Sequence, residues 1–140
     1  IAPVGGGGLI SGCAIALRSR SPHTTLIGAE PIGADDAQRS LAAGKVVSIE
    51  HPNSICDGLL ATIGAVNYGV LARHRVEVLS VDDSAVRSAM RRLWERLKLI
   101  VEPSSAIAYA VLQAHSERFR GQRVGVLLSG GNVDLDALPF

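Results

Sequence analysis

The spacing of apolar residues changes several times along this chain, and each change marks an element. Thr24-Thr25-Leu26-Ile27-Gly28-Ala29-Glu30 is β-branched and apolar, the composition of a short buried strand. Val76-Glu77-Val78-Leu79 is a briefer example. Further on, Val86, Met90, Leu93 and Leu97 recur at intervals of four, three and four, which predicts one face of an amphipathic helix. Ser80, with Asp83 three residues later, approximates a capping box ahead of that helix, and Trp94 falls beside its stripe as core or interface packing. Near the end, Arg123-Val124-Gly125-Val126-Leu127-Leu128 is almost continuously apolar, as expected of a strand buried on both faces of a parallel sheet.

Other segments read as helices. Residues 9–17 are helix formers, and Arg18-Ser19-Arg20-Ser21-Pro22 stops them. Residues 35–43 predict a short helix with Gly44 as its C-cap, and Glu102-Pro103 opens another, with proline in the first turn and Ala106, Ala108, Ala110 and Ala114 suiting close packing on a sheet. The region 45–69 is least regular. There Val46-Val47-Ser48-Ile49 has the composition of a short strand, His51-Pro52-Asn53-Ser54 reads as a loop, and helix is expected at 57–61 and 67–73. Strands alternating with helices predict an α/β fold, a parallel-sheet core flanked by helices, with ligands at the carboxyl ends of the strands.

Two loops stand at such ends. In Pro3-Val4-Gly5-Gly6-Gly7-Gly8-Leu9-Ile10-Ser11-Gly12, an apolar run passes through four glycines into a helix. Glycines in series belong where a backbone turns with φ > 0 or comes close to something. Strand, glycines and helix start together aim free N–H groups and a positive dipole end at an anion, so the stretch reads as a phosphate cradle. The dinucleotide G-x-G-x-x-G fits only with a wrong last interval, and no Gly-Lys-Ser/Thr follows. A tight strand-to-helix turn without a ligand remains the plain alternative. The second loop, Ser129-Gly130-Gly131-Asn132, follows the last apolar run directly.

Composition narrows the class of partner. A chain of 140 residues, 47% hydrophobic and 19% charged, is ordinary for one globular domain. Its 14 basic and 13 acidic residues leave a net charge of +1 with no block of one sign, so neither nucleic acid nor an anionic membrane is implied. Cys13 and Cys56 have no metal-like spacing and sit in apolar surroundings, which suits free thiols in a reducing compartment such as the cytoplasm. No apolar run approaches the roughly 18 residues that span a bilayer. His23, His51, His74 and His115 fall in loops or on exposed helix faces and are assigned no chemistry. The chain opens at Ile1 without an initiator Met, just before its most distinctive loop, and is expected to be the C-terminal part of something longer.

The two glycine loops, in this order and at this separation, resemble the C-terminal half of the serine racemase and serine/threonine dehydratase family, pyridoxal phosphate enzymes of fold type II. Gly28-Ala29-Glu30-Pro31 with Ala34-Asp35-Asp36, Asp57-Gly58, and Trp94-Glu95-Arg96 leading to Glu102-Pro103 extend the resemblance over essentially the whole chain. It implies residues 1–140 as the C-terminal part of such an enzyme, mostly its large cofactor-binding domain. It also implies that Gly5, Gly6, Gly7 and Gly8 hold the phosphate of pyridoxal phosphate, that Ser129 faces the pyridine nitrogen, that Gly58 lies where the backbone approaches the ring, and that Asn132 stands nearby. The implied reaction turns a small 3-hydroxy amino acid (serine, threonine or 3-hydroxyaspartate) into a 2-oxo acid and ammonia, with racemisation as a further outcome. A homodimer of the full-length protein is implied as well, to which the Trp94 helix is expected to contribute.

Glu30, Ala34 and Asp36 carry a separate expectation. By pattern alone, acidic residues in a turn before a helix are dipole partners for its N-terminus. The resemblance makes the Glu30 carboxylate, the Ala34 carbonyl and the Asp36 carboxylate hard oxygen ligands for Mg²⁺, Ca²⁺ or Mn²⁺. One departure limits the function of the chain. The family's Schiff-base lysine lies in its N-terminal half, and this chain has only Lys45 and Lys98, neither in a suitable setting. No residue here is therefore assigned a catalytic role, the missing N-terminal half is the implied partner, and the chain alone is expected to be silent. A non-catalytic phosphate- or nucleotide-binding α/β module is the alternative reading.

Overall fold

A computed structural model describes residues 1–140. Three parallel strands, β1 (Ala2–Pro3), β2 (Ile27–Pro31) and β3 (Glu77–Val81), form a sheet in the order β1-β2-β3. Ala2 stands opposite Gly28, and Gly28 opposite Val78. Helices cover both faces. On one, α1 (Gly8–Arg20), α2 (Asp36–Ala43) and α3 (Ala65–Arg73) bury Val4, Ile10, Leu71 and Val78. On the other, α4 (Asp83–Arg92) and α5 (Pro103–Ala114) pack together, with α5 lying across all three strands, and bury Val86, Met90, Ile107 and Val111. The alanines of α5 permit this: Ala106, Ala108 and Ala110 are buried, and their small side chains let the helix lie close to the sheet.

Several expectations are corrected. Residues 123–128 touch the sheet through one pair of bonds, from the Ile1 N to the Gly125 carbonyl at 2.7 Å and from the Leu127 N–H to the Ile1 carbonyl at 2.9 Å. They are not buried on both faces: Leu127 is 39% exposed, while Val124, Val126 and Leu128 are half-buried against the α4/α5 core. The segment flanks β1 alone, and no further backbone hydrogen bond runs from residues 123–128. Val46 to Ile49 forms no strand; Val47 is instead held by Ser40, whose Oγ accepts its N–H at 2.8 Å.

The helix after β3 is capped by Asp82, not Ser80. The Asp82 side chain accepts the Ala85 N–H at 2.8 Å, whereas β3 continues through Ser80, whose hydroxyl donates to Gln38 at 2.9 Å. The stripe of this helix also ends early. Val86, Met90 and Leu93 are buried, but Leu93–Leu97 is a wider π-helical turn, which rotates Leu97 out of line and leaves it 59% exposed. Trp94 packs within the chain, edge-on to Phe140 with its Nε1 donating to the Val101 carbonyl. Of the two helices expected in the middle region, the first is a 3-10 turn at Asp57–Leu59 and the second is α3.

Candidate functional site

The glycine turn joins β1 to α1, and its shape follows from what holds it. Gly7 is the N-cap of α1 with φ 88°, the left-handed conformation that glycine adopts at least cost. The Gly6 carbonyl accepts two hydrogen bonds, from the Gly64 N–H at 3.1 Å and the Asn67 Nδ2 at 2.7 Å. Because the peptide is planar and trans, turning this carbonyl toward α3 turns the Gly7 N–H the opposite way. The N–H groups of Gly8, Leu9 and Ile10 have no intrahelical acceptor, and no acidic side chain occupies the first turn of α1. A Cβ built on Gly6 or Gly8 would meet nothing within 4 Å. Free donors, a positive helix end and open space therefore coincide, the arrangement that receives an anion.

Gly5, Gly6, Gly7 and Gly8 share a pocket of about 230 Å³ with Gly58, Ser104, Glu102 and Ser129. The two glycine loops thus converge, although they lie near opposite ends of the sequence. Gly58 arrives on the 3-10 turn at 57–59, with its N–H donating to Ser104 Oγ at 3.0 Å. Asn132 is exposed beside the pocket rather than in its wall, and its backbone N–H donates to Glu102 Oε2 at 2.8 Å. A larger cavity, of about 560 Å³, lies between the end of α1 and residues 123–127. Its walls are mostly apolar and include neither glycine loop, so the smaller pocket is the one with convergent polar groups.

Neither lysine reaches this pocket. Lys45 is exposed behind Gly44, and Lys98 Nζ donates to the Glu95 carbonyl at 2.7 Å.

The turn after β2 buries two carboxylates. Glu30 is fully buried and accepts the N–H groups of Ala37 at 3.0 Å and Gln38 at 2.9 Å, which makes it the dipole partner of α2. Burial pushes its carboxyl up to about 8; the two N–H bonds oppose that shift, and Asp36 and Asp35 add to it. Asp36, 2% exposed, accepts the Ile63 N–H at 2.7 Å, and burial likewise raises its pKa. The one arginine in this turn, Arg39, pairs with Asp35 at 2.7 Å. Nowhere does the chain gather three or more His, Cys, Asp or Glu side chains in a metal-like cluster, so a cation here would also need the Ala34 carbonyl or water.

Three residues with work at the pocket escaped the sequence reading in those roles: Asn67, Ser104 and Glu102. Asn67 carries a weak signal, a capping-type side chain early in a helix, but its partner is a carbonyl 61 residues away. Ser104 and Glu102 look like ordinary residues at the start of α5.

Fold and pocket together define an α/β domain with a glycine-walled pocket at the carboxyl ends of parallel strands, the architecture that binds phosphorylated ligands. Residues 1–130 match the family model for pyridoxal-phosphate dependent enzymes. The chain belongs to that family. It is 41% identical over 140 residues to a beta-hydroxyaspartate dehydratase of Paracoccus denitrificans (strain Pd 1222), a match covering 100% of this chain and 44% of that protein. It is also 41% identical to a serine racemase of Dictyostelium discoideum, over 99% of this chain and 44% of the relative. Among solved structures, maize serine racemase superposes with a TM-score of 0.91 at 40% identity, over 96% of this chain and 43% of that one. Threonine deaminase from T.th. superposes with a TM-score of 0.86 at 40% identity, over 95% of this chain and 49% of that one. The chain therefore spans less than half the length of these relatives.

Proposed function

We propose that residues 1–140 are the C-terminal part, mostly the large cofactor-binding domain, of a pyridoxal phosphate dependent ammonia-lyase. The whole enzyme eliminates water from serine, threonine or 3-hydroxyaspartate to release a 2-oxo acid and ammonia, with racemisation as a further outcome. The observation that carries the proposal is the convergence of Gly5, Gly6, Gly7, Gly8, Gly58 and Ser129 on one pocket. Relatives named as hydroxyaspartate dehydratase, serine racemase and threonine deaminase support the substrate class.

Pyridoxal phosphate, when bound, supplies the electron sink for bond cleavage at the α-carbon of the substrate. The residues of this chain bind and orient. The N–H groups of the glycine turn and of the first turn of α1 hold the phosphate, in the space that side chains on Gly6 and Gly8 would fill. Ser129 offers the ring nitrogen a hydroxyl, a neutral partner that does not fix a proton there, which weakens the sink and favours prompt loss of a β-hydroxyl. Gly58, without a side chain, lets the backbone come close to the ring, and Asn132 stands just outside.

The same reading places a divalent cation, Mg²⁺, Ca²⁺ or Mn²⁺, on Glu30, the Ala34 carbonyl and Asp36. The donor set fits. Two buried carboxylates lie in one turn, no basic side chain is paired with either, and each oxygen of Glu30 uses only one N–H bond. A homodimer in the cytoplasm completes the proposal; exposed Leu97, Leu99 and Ile100 offer apolar surface for association, both cysteines are free, and no helix is long and apolar enough to cross a membrane.

The test is deamination of the three candidate substrates by the full-length protein loaded with cofactor. A colourless full-length protein that binds phosphate but turns over none of them would favour the anion-binding module. The isolated chain, which carries no suitably placed lysine, should release no pyruvate from serine above a cofactor blank.

A further inference from the structure

The two halves of the pocket wall are fastened to one short segment, the N-terminal turn of α5. On one side, Ser104 Oγ accepts the Gly58 N–H at 3.0 Å and donates to Asp57 Oδ1 at 3.3 Å, which fixes the 57–59 turn. That turn abuts the glycine cradle, since a Cβ on Gly5 would lie 2.9 Å from the Gly58 carbonyl oxygen. On the other side, the Glu102 backbone N–H donates to the Gly130 carbonyl at 3.2 Å, and its Oε2 accepts the Asn132 N–H at 2.8 Å. The Glu102 carboxylate occupies the place a side chain on Gly130 would take: a Cβ there would stand 2.4 Å from Oε1. Residues 130 and 132 are thus held from both ends, immediately after Ser129.

We infer that Glu102 is a positioning residue, whose two-point grip on Gly130 and Asn132 holds Ser129 at a set separation from the glycine cradle. The inference rests on the reading of the pocket as the pyridoxal phosphate site. Glu102 is not assigned a proton transfer. It acts through the second loop, as Ser104 acts through the 57–59 turn, and the start of α5 that carries both is the gauge. A carboxylate accepting a backbone N–H makes a charge-assisted bond, among the stronger contacts available to an exposed loop.

The experiment uses the full-length protein and pyridoxal phosphate, with affinity measured by fluorescence titration and the visible absorption band followed against pH. Glu102→Ala should weaken cofactor binding about tenfold, as expected for loss of one charge-assisted bond. It should also move the pH midpoint of the band by about half a unit, because the ring nitrogen no longer meets a fixed hydroxyl. Glu102→Gln keeps a carbonyl acceptor for the Asn132 N–H and should stay within about threefold of wild type.

Gly130→Ala is the second probe. Its methyl meets first the flexible end of the Glu102 side chain, so the fold should survive while the carboxylate is displaced. It should match Glu102→Ala, and the double variant should be no worse than either single, the non-additivity expected of one shared contact. Wild-type affinity and an unmoved band in Glu102→Ala, or additive losses in the double variant, would overturn the inference. If Glu102→Ala does not fold, Gly130→Ala decides alone. If the wild-type protein itself binds no pyridoxal phosphate, the reading of the pocket falls and takes this inference with it.

Discussion

Replacing single glycines of the cradle by alanine separates what the fold needs from what the ligand needs. Gly7 has φ 88°, and a Cβ there would lie 2.7 Å from Asn67 Cβ and 3.0 Å from Ile63 Cγ1. The left-handed conformation costs a side-chain-bearing residue about 1–2 kcal/mol, and crowding a packed site costs about 1–3 kcal/mol more. Gly7→Ala should therefore destabilise the protein by about 2–5 kcal/mol, a large part of the roughly 5–15 kcal/mol that holds a domain together. Gly6 and Gly8 differ, since a Cβ on either meets nothing within 4 Å. Gly8→Ala, at the first position of α1, should even gain a few tenths of a kcal/mol, up to about 1, from helix propensity. Both methyls would instead occupy the space from which an anion approaches the backbone, so both variants should bind pyridoxal phosphate about tenfold more weakly, a change of about 1.4 kcal/mol. Urea unfolding followed by circular dichroism reads the first effect in the full-length protein, and cofactor titration reads the second. Equal midpoints for wild type and Gly7→Ala, or a Gly8→Ala protein as unstable as Gly7→Ala, would refute the reasoning.

Other consequences are simpler to check. Asp82→Ala removes the side chain that accepts the Ala85 N–H and should cost about 1 kcal/mol, measured by the same unfolding curves. The Cys56 thiol is fully buried, and burial, with Asp83 and Asp57 adding, pushes its pKa up to about 12 from 9.0. Iodoacetamide at neutral pH should therefore leave Cys56 unlabelled until the protein is unfolded, as peptide mass mapping would show. The same shift means that above pH 9 the unfolded thiol ionises while the folded one does not, so stability should fall between pH 9 and about 12; Cys56→Ala should flatten that part of the curve. Adding Mg²⁺ should raise the melting temperature of the wild-type protein but not of Glu30→Gln, and an equal rise in both would remove Glu30 from the proposed metal site.

Local chemistry determined much of what could be read from the residues alone. Glycine runs, helix stops and β-branched stretches act within a few positions of themselves, so α1, α2 with its Gly44 cap, β2, and the Pro103 start of α5 were legible, as was the promise of an anion cradle. Resemblance supplied the role of the second loop and the place of the chain in a family. Tertiary structure decided everything that depends on partners distant along the chain. The π-helical turn took Leu97 out of its stripe, the edge position left residues 123–128 half-covered, and Asp82 displaced Ser80 as the cap because β3 ran on to Val81. The polarity of the cradle is likewise a tertiary fact, set by Gly64 and Asn67 gripping the Gly6 carbonyl, and so is the fastening of the 57–59 turn by Ser104 and of the second loop by Glu102. Periodicity reports which way a side chain faces, but only the folded chain shows what it meets there.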